Sequence, residues 1–245
     1  MHAVRYLVAL LFGTVWYGSK VIVASWLRRP HEREGVYHRA AHDWAALLLH
    51  AAGVTVSVTG TEHLSHTAAQ IVVANHQSWF DILALFSVLP VELRFVAKKE
   101  LFAIPFFGAT LRALGHVRLD RTNLQQAIGA YQQASRYIRE QRLSVLVFAE
   151  GTRSRTGALQ PFKNGPFVLA IESGAPVVPA YVAGTFGILP KGSIRVRPSP
   201  VQVTVAAAIP SAGLTLEDRS ALRERARDAI VRLRAASVDA RFDAA

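Results

Sequence analysis

Short runs rich in β-branched residues recur along most of this chain. They are Val54–Thr59 (VTVSVT), Ile71–Ala74 (IVVA), Arg94–Ala97 (RFVA), Ser144–Ala149 (SVLVFA), Val177–Val182 (VVPAYV), Ser193–Arg197 (SIRVR) and Val201–Ala206 (VQVTVA). Runs of this length and composition predict strands. Between several of them lie stretches of helical length: Trp79–Leu89, Asn123–Arg139, Gly165–Glu172 and Leu216–Ala236. Strands alternating with helices confine the chain to an α/β fold, a central sheet flanked by helices. The last two runs have no helix between them, so a mixed sheet is expected.

The N-terminus has a different texture. Tyr6 to Leu27 is apolar apart from Lys20. As a helix it would extend about 33 Å, close to the thickness of a bilayer's hydrocarbon core. No small-residue cleavage site closes the run, which argues against a signal peptide. Pro30 ends the pattern, and Arg28, Arg29 and Arg33 mark a polar, cytoplasmic surface. A second helix is expected over Val36–Ala52, with Tyr37, Ala41, Trp44, Leu48 and Ala51 along one stripe. Residues 1–52 thus form an expected membrane-anchoring helical hairpin, and residues 53–245 an α/β domain.

Charge and cysteine content narrow the chemistry. Lys plus Arg number 28 against 17 Asp plus Glu, a formal charge of +11. That balance suits nucleic acid, an anionic membrane face or phosphorylated substrates. No helix-turn-helix signal, aromatic RNA-binding run or zinc spacing supports nucleic acid. The chain contains no cysteine, which removes disulfides, thiolate-bound metal and a thiol nucleophile. His38 and His42 share a helix face but bring no third ligand, so no metal is expected.

Two polar clusters follow predicted strands, where open α/β sheets place their ligands. The first is ANHQSWFD, residues 74–81. His76 can accept a proton near neutral pH, and Asp81 can fix its tautomer if the imidazole lies in the turn and the carboxylate in the first helical turn. Asn75 and Ser78 suit the turn and cap. A plain structural role, a capping Asp beside a hydrogen-bonded His, fits the same residues. No G-x-S-x-G elbow is present, so a proton taken by His76 would come from a substrate hydroxyl or water. The second cluster is FAEGTRSR, residues 148–155. Gly151 lets backbone approach a ligand, Arg153 can grip a phosphate through paired hydrogen bonds, and Thr152 and Ser154 add hydroxyls. Lys163 and Asn164-Gly165 follow, opening a helix.

In this order, NHQSWFD, then KKEL with PFFG and GHVRLDR, then FAEGTRS, then APVVP, the chain resembles the glycerolipid acyltransferases, most closely the bacterial lysophosphatidic acid acyltransferases. The match spans about residues 70–182, and the N-terminal hairpin is similar to the family's membrane anchor. The resemblance implies His76 as general base, Asp81 as its orienting partner and Lys98 near the reaction centre. It implies Glu150, Gly151, Thr152 and Arg153 at the glycerol-phosphate end, with Arg121 as a second phosphate partner and Pro176 near the acyl site. Lys98, rather than the adjacent Lys99, matches the family's lysine two before the Glu. The implied reaction moves a fatty acyl group from acyl-CoA or acyl carrier protein to the 2-hydroxyl of lysophosphatidic acid, giving phosphatidic acid for phospholipid biosynthesis. No cofactor is implied, and the expected location is the bacterial inner membrane with catalysis on the cytoplasmic side. Alternatives are other acceptors (lyso-ornithine lipid, glycerol-3-phosphate, another lysophospholipid) and a non-enzymatic lipid-binding protein.

Overall fold

The computed structural model describes residues 2–32, 34–119 and 124–237. In chain order the elements are α1 (His2–Trp26), α2 (Val36–Ala52), β1 (Val56–Thr59), β2 (Gln70–Ala74), α3 (Phe80–Val88), β3 (Leu93–Lys98), α4 (Lys99–Ala103), α5 (Phe107–Ala113), β4 (Val117–Leu119), α6 (Leu124–Glu140), β5 (Ser144–Phe148), α7 (Gly165–Ser173), β6 (Val177–Ala183), α8 (Thr185–Ile188), β7 (Val201–Val205) and α9 (Arg219–Ala236). The seven strands form one sheet in the order β1-β7-β6-β2-β5-β3-β4. β6, β2, β5, β3 and β4 run parallel, whereas β7 pairs antiparallel to β6 and carries β1 parallel to itself. The expected mixed sheet is therefore present, with both reversed strands at one edge.

Strand position explains strand texture. β2 lies at the sheet's centre and is buried along its whole length, so its apolar run is continuous. β1 lies at the edge and alternates between half-buried and exposed residues. Val72, Ala74, Leu146, Val178 and Val182 point to one face and pack with Leu48 and Leu49 of α2 and with Phe80, Ala84 and Leu85 of α3. Ile71, Val73, Val145 and Val147 point to the other face, against Ile138 of α6, Phe167 of α7, and Leu222 and Ile230 of α9.

Two expectations about strands need correction. Ser193–Arg197 alternates with period two but is a loop; β7, the strand next to it in sequence, is already paired on both sides, by β6 and β1. The Arg197 amide instead donates to the Ile188 carbonyl at 3.0 Å. In turn β4, three residues long, was too short to show a period.

α1 and α2 pack against each other, with the Trp44 indole donating to the Thr14 hydroxyl at 3.1 Å. Among the described residues, α1 is the one helix long and apolar enough to cross a membrane. Leu7, Leu11, Phe12 and Trp16 are exposed on it. The Lys20 ammonium lies 5.0 Å from the Trp16 ring and 5.3 Å from the Tyr17 ring, partners that an aliphatic surface lacks. The hairpin is joined to the rest: α2 contributes Ala45, Leu48, Leu49 and Ala52 to the main core, and Tyr6 of α1 stacks on Phe80 at 5.3 Å.

Candidate active site

β2 ends at Ala74 and α3 begins at Phe80. The five residues between them fold into a turn organised by one carboxylate. Asp81 is fully buried. Its Oδ2 accepts the Gln77 and Ser78 amides at 2.7 and 2.8 Å and lies 2.8 Å from His76 Nδ1. Its Oδ1 accepts the Thr185 hydroxyl from the start of α8. Of the two roles weighed from sequence, the carboxylate takes that of partner to the histidine; it caps no helical amide, since the amides it accepts belong to the turn before α3. A negative charge in the first turn of α3 also meets the favourable end of the helix dipole.

The histidine is held on three sides. A carboxylate facing Nδ1 fixes the proton there and leaves the Nε2 lone pair as the basic position. The ring stacks on Phe148 with centroids 3.9 Å apart and planes at 12°. The His76 amide donates to Glu150 Oε1 at 2.7 Å, and its carbonyl accepts the Ser154 amide at 2.7 Å. The side chain keeps 15% of its surface open to solvent, whereas its partner Asp81 keeps none.

Glu150 is buried, with its second oxygen accepting the Gln160 amide at 3.0 Å. Burial pushes this carboxyl up from the ordinary glutamate range, while the amides it receives pull the other way. Both oxygens thus hold backbone, one in the histidine turn and one in the loop that follows the second cluster. That places Glu150 as a brace between the two loops, not as a group turned towards a phosphate. Gly151 sits at φ +73, a conformation that L side chains rarely adopt, and turns the chain sharply after β5.

Beyond it, Thr152 is exposed and receives a hydrogen bond from Lys191 Nζ at 2.9 Å. The Arg153 guanidinium lies over the Trp79 ring, 5.1 Å from its centroid. Trp79 belongs to the turn that carries His76, so this contact ties the second cluster's arginine to the first cluster. A cavity of about 280 Å³ opens between the end of β5 and the start of α7, lined by Val96, Phe148, Gly151, Thr152, Lys163 and Leu169 among others.

Register locates the remaining lysine. Ala74 pairs with Phe148, and Phe95 with Leu146, so Lys98 ends β3 just past the level at which β2 ends. Two strand spacings, about 10 Å, separate β3 from β2. Lys98 therefore belongs to the same sheet end as His76, as far as its backbone shows. Arg121 lies outside the described residues, two positions after β4 ends at Leu119. Pro176 precedes β6, on the other side of β2, at the opposite end of the strand from the histidine.

Other residues complete the site. The Asn75 side-chain amide bonds both the amide and the carbonyl of Val182, at 2.8 and 2.9 Å, clamping the turn to β6. Ser78 Oγ donates to the Leu189 carbonyl at 2.8 Å. Thr185 and Gln160 carried no sequence signal, since neither forms a recognisable spacing with the residue it serves.

A strand-end histidine oriented by a buried carboxylate, with no serine, threonine or cysteine bonded to its ring among the described residues, is the arrangement of a class that activates a hydroxyl brought by the substrate. A family model described as acyltransferase matches residues 55–183, and the chain belongs to that family. It is 34% identical over 200 residues to the 1-acyl-sn-glycerol-3-phosphate acyltransferase of Limnanthes douglasii, covering 82% of this chain and 69% of that protein. With 1-acyl-sn-glycerol-3-phosphate acyltransferase alpha of Homo sapiens the identity is 33% over 179 residues, covering 73% and 63%. The crystal structure of the 1-acyl-sn-glycerophosphate (LPA) acyltransferase PlsC from Thermotoga maritima superposes with a TM-score of 0.75 at 27% identity, covering 96% of this chain and 98% of that one.

Proposed function

We propose that the protein acylates the free 2-hydroxyl of lysophosphatidic acid, giving phosphatidic acid, with acyl-CoA or acyl carrier protein as donor. The observation that carries this reading is the His76 Nδ1 to Asp81 Oδ2 contact of 2.8 Å, made without any nucleophile of the protein's own. His76 Nε2 takes the acceptor's hydroxyl proton as its oxygen attacks the thioester carbonyl. Asp81 stabilises the imidazolium. The tetrahedral intermediate then collapses, the C–S bond breaks, and the proton passes from Nε2 to the departing thiolate. Arg153, held over Trp79, grips the acceptor's phosphate, with Lys98 as a further cation and Arg121 kept as the second phosphate partner that the family resemblance implies. Glu150 acts by bracing the histidine turn. α1 holds the protein at a membrane, where both acyl-bearing substrates partition, with the catalytic domain on the cytoplasmic face.

The deciding experiment is acyl transfer by detergent-purified protein. Acyl-CoA and acyl carrier protein serve as donors; lysophosphatidic acid, glycerol-3-phosphate and lyso-ornithine lipid serve as acceptors. Phosphatidic acid formed by the wild type and not by His76→Ala supports the reaction and the base. Transfer to lyso-ornithine lipid alone keeps the chemistry and overturns the acceptor. Arg153→Ala is expected to raise KM for lysophosphatidic acid about tenfold, the mark of lost ground-state binding. An unchanged KM removes Arg153 from phosphate recognition.

A further inference from the structure

Between α8 and β7 the chain makes a loop, Leu189–Pro200, that contains Lys191, Arg195 and Arg197 and no acidic residue. Ile194, at its tip, is 97% exposed, the most open large apolar side chain among the described residues. A single exposed isoleucine needs no explanation by itself. The construction around this one does. The neck is closed by the Arg197 amide on the Ile188 carbonyl, and Ile188 and Val196 are anchored in the main core. Within the tip, the Ser193 amide donates to the Pro190 carbonyl and the Arg195 amide to Ser193 Oγ, each at 3.0 Å. The backbone is thus pre-ordered, with an aliphatic side chain thrust outward among cations.

Its root is part of the candidate site. The Leu189 carbonyl accepts from Ser78, and Lys191 donates to Thr152. Two residues from Ser78, Phe80 carries the stacked Tyr6 of α1. The loop and the N-terminal turns of α1, where Val4 and Leu7 are exposed, consequently lie at the same end of the sheet.

We propose that this loop is a second membrane contact. Ile194 enters the interfacial layer of an anionic bilayer, while Lys191, Arg195 and Arg197 face its phosphate groups. A bilayer satisfies both halves of the tip: apolar depth for the isoleucine and negative charge around it. An acidic protein would answer the charge and leave the aliphatic tip without an apolar slot shown for it. The consequence is that the rim of the site is pressed to the surface from which the acceptor comes. The proposal rests on the membrane reading above and adds a specific point of contact to it.

The chain's lack of cysteine makes a clean test possible. The full-length protein carries an environment-sensitive fluorophore at Ile194→Cys or, as control, at Thr67→Cys, an exposed position before β2 at the opposite end of the sheet. Vesicles of phosphatidylcholine with phosphatidylglycerol bear spin-labelled acyl chains, and vesicle co-sedimentation is measured in parallel. The expected result is quenching at position 194 several-fold stronger than at 67, weakened by salt and by Arg195→Gln with Arg197→Gln. Equal quenching at both positions, in protein that co-sediments, overturns the loop contact and leaves the α1 anchor standing. Failure to co-sediment overturns both. A response at 194 to acyl carrier protein and not to vesicles also overturns the lipid assignment.

Discussion

Two histidines at the sheet receive opposite treatment. His76, past the end of β2, has Nδ1 against a carboxylate and a side chain partly open to solvent. His116, just before β4, is buried; its Nδ1 accepts the Phe95 amide at 3.2 Å, and its ring lies 3.9 Å from that of Phe95. Burial, with the nearby Arg94 guanidinium second, holds His116 well below the ordinary imidazole range. Arg94 itself is buried against Glu92 and His31, so this part of the sheet is a satisfied polar cluster. The same side chain faces a carboxylate at one position, and at the other it accepts an amide beside a cation.

His76→Ala gives the widest separation of the two. Turnover should fall about 10²- to 10⁴-fold, the usual worth of a general base, with the melting temperature little changed. Near-normal turnover in folded protein would break the comparison at its root. Asp81→Asn comes next, at about 10²- to 10³-fold, because an amide can present its N–H to Nδ1 and select the wrong tautomer. Unlike the histidine variant it should also cost about 1–3 kcal/mol of stability, since the Gln77 and Ser78 amides lose a charged acceptor. Chemical denaturation of the two variants side by side distinguishes these effects. Thr185→Val, which removes the hydroxyl donor on Asp81 Oδ1, should lower kcat about tenfold, equivalent to about 1.4 kcal/mol, with KM unchanged.

His116 supplies the smallest effect and the contrasting one. The folded state keeps this imidazole neutral, whereas the unfolded chain takes up its proton near pH 6.5. Below that pH the unfolded state binds more protons than the folded state, so this group's contribution is complete above about pH 6.5 and declines as pH falls. His116→Gln retains an acceptor for the Phe95 amide and has no proton to gain. Its stability should follow the wild type above pH 6.5 and fall less steeply below, with turnover per folded molecule unaltered. Parallel denaturation curves across pH 4.5–7.5 would show the group to be silent.

Legibility in the sequence followed distance along the chain. His76 and Asp81 lie five residues apart, and a strand-to-helix turn of that length brings them together, so motif and geometry coincide. Strands buried on both faces were readable because both faces demand apolar residues, as in β2 and β6. Thr185 reaches Asp81 across 104 positions, and nothing local announces it. Glu150 was visible as a motif residue, but its two amide partners belong to different loops and could not be inferred. Ser193–Arg197 misled because alternation reports a two-faced chain and not whether a neighbouring strand has room for it.

Asp81 also bears on how such a protein could age. Its carboxylate is at once the ring's partner, the organiser of the turn and the acceptor for α8. His76, by contrast, holds its neighbours through backbone, and its ring touches the scaffold at Asp81 and Phe148 alone among the contacts described. A lineage drifting from enzyme to passive lipid carrier therefore meets unequal resistance at the two positions. Loss of the histidine should disturb the scaffold less than loss of the aspartate. Inactive descendants of this fold should keep the aspartate as a fossil of the lost reaction.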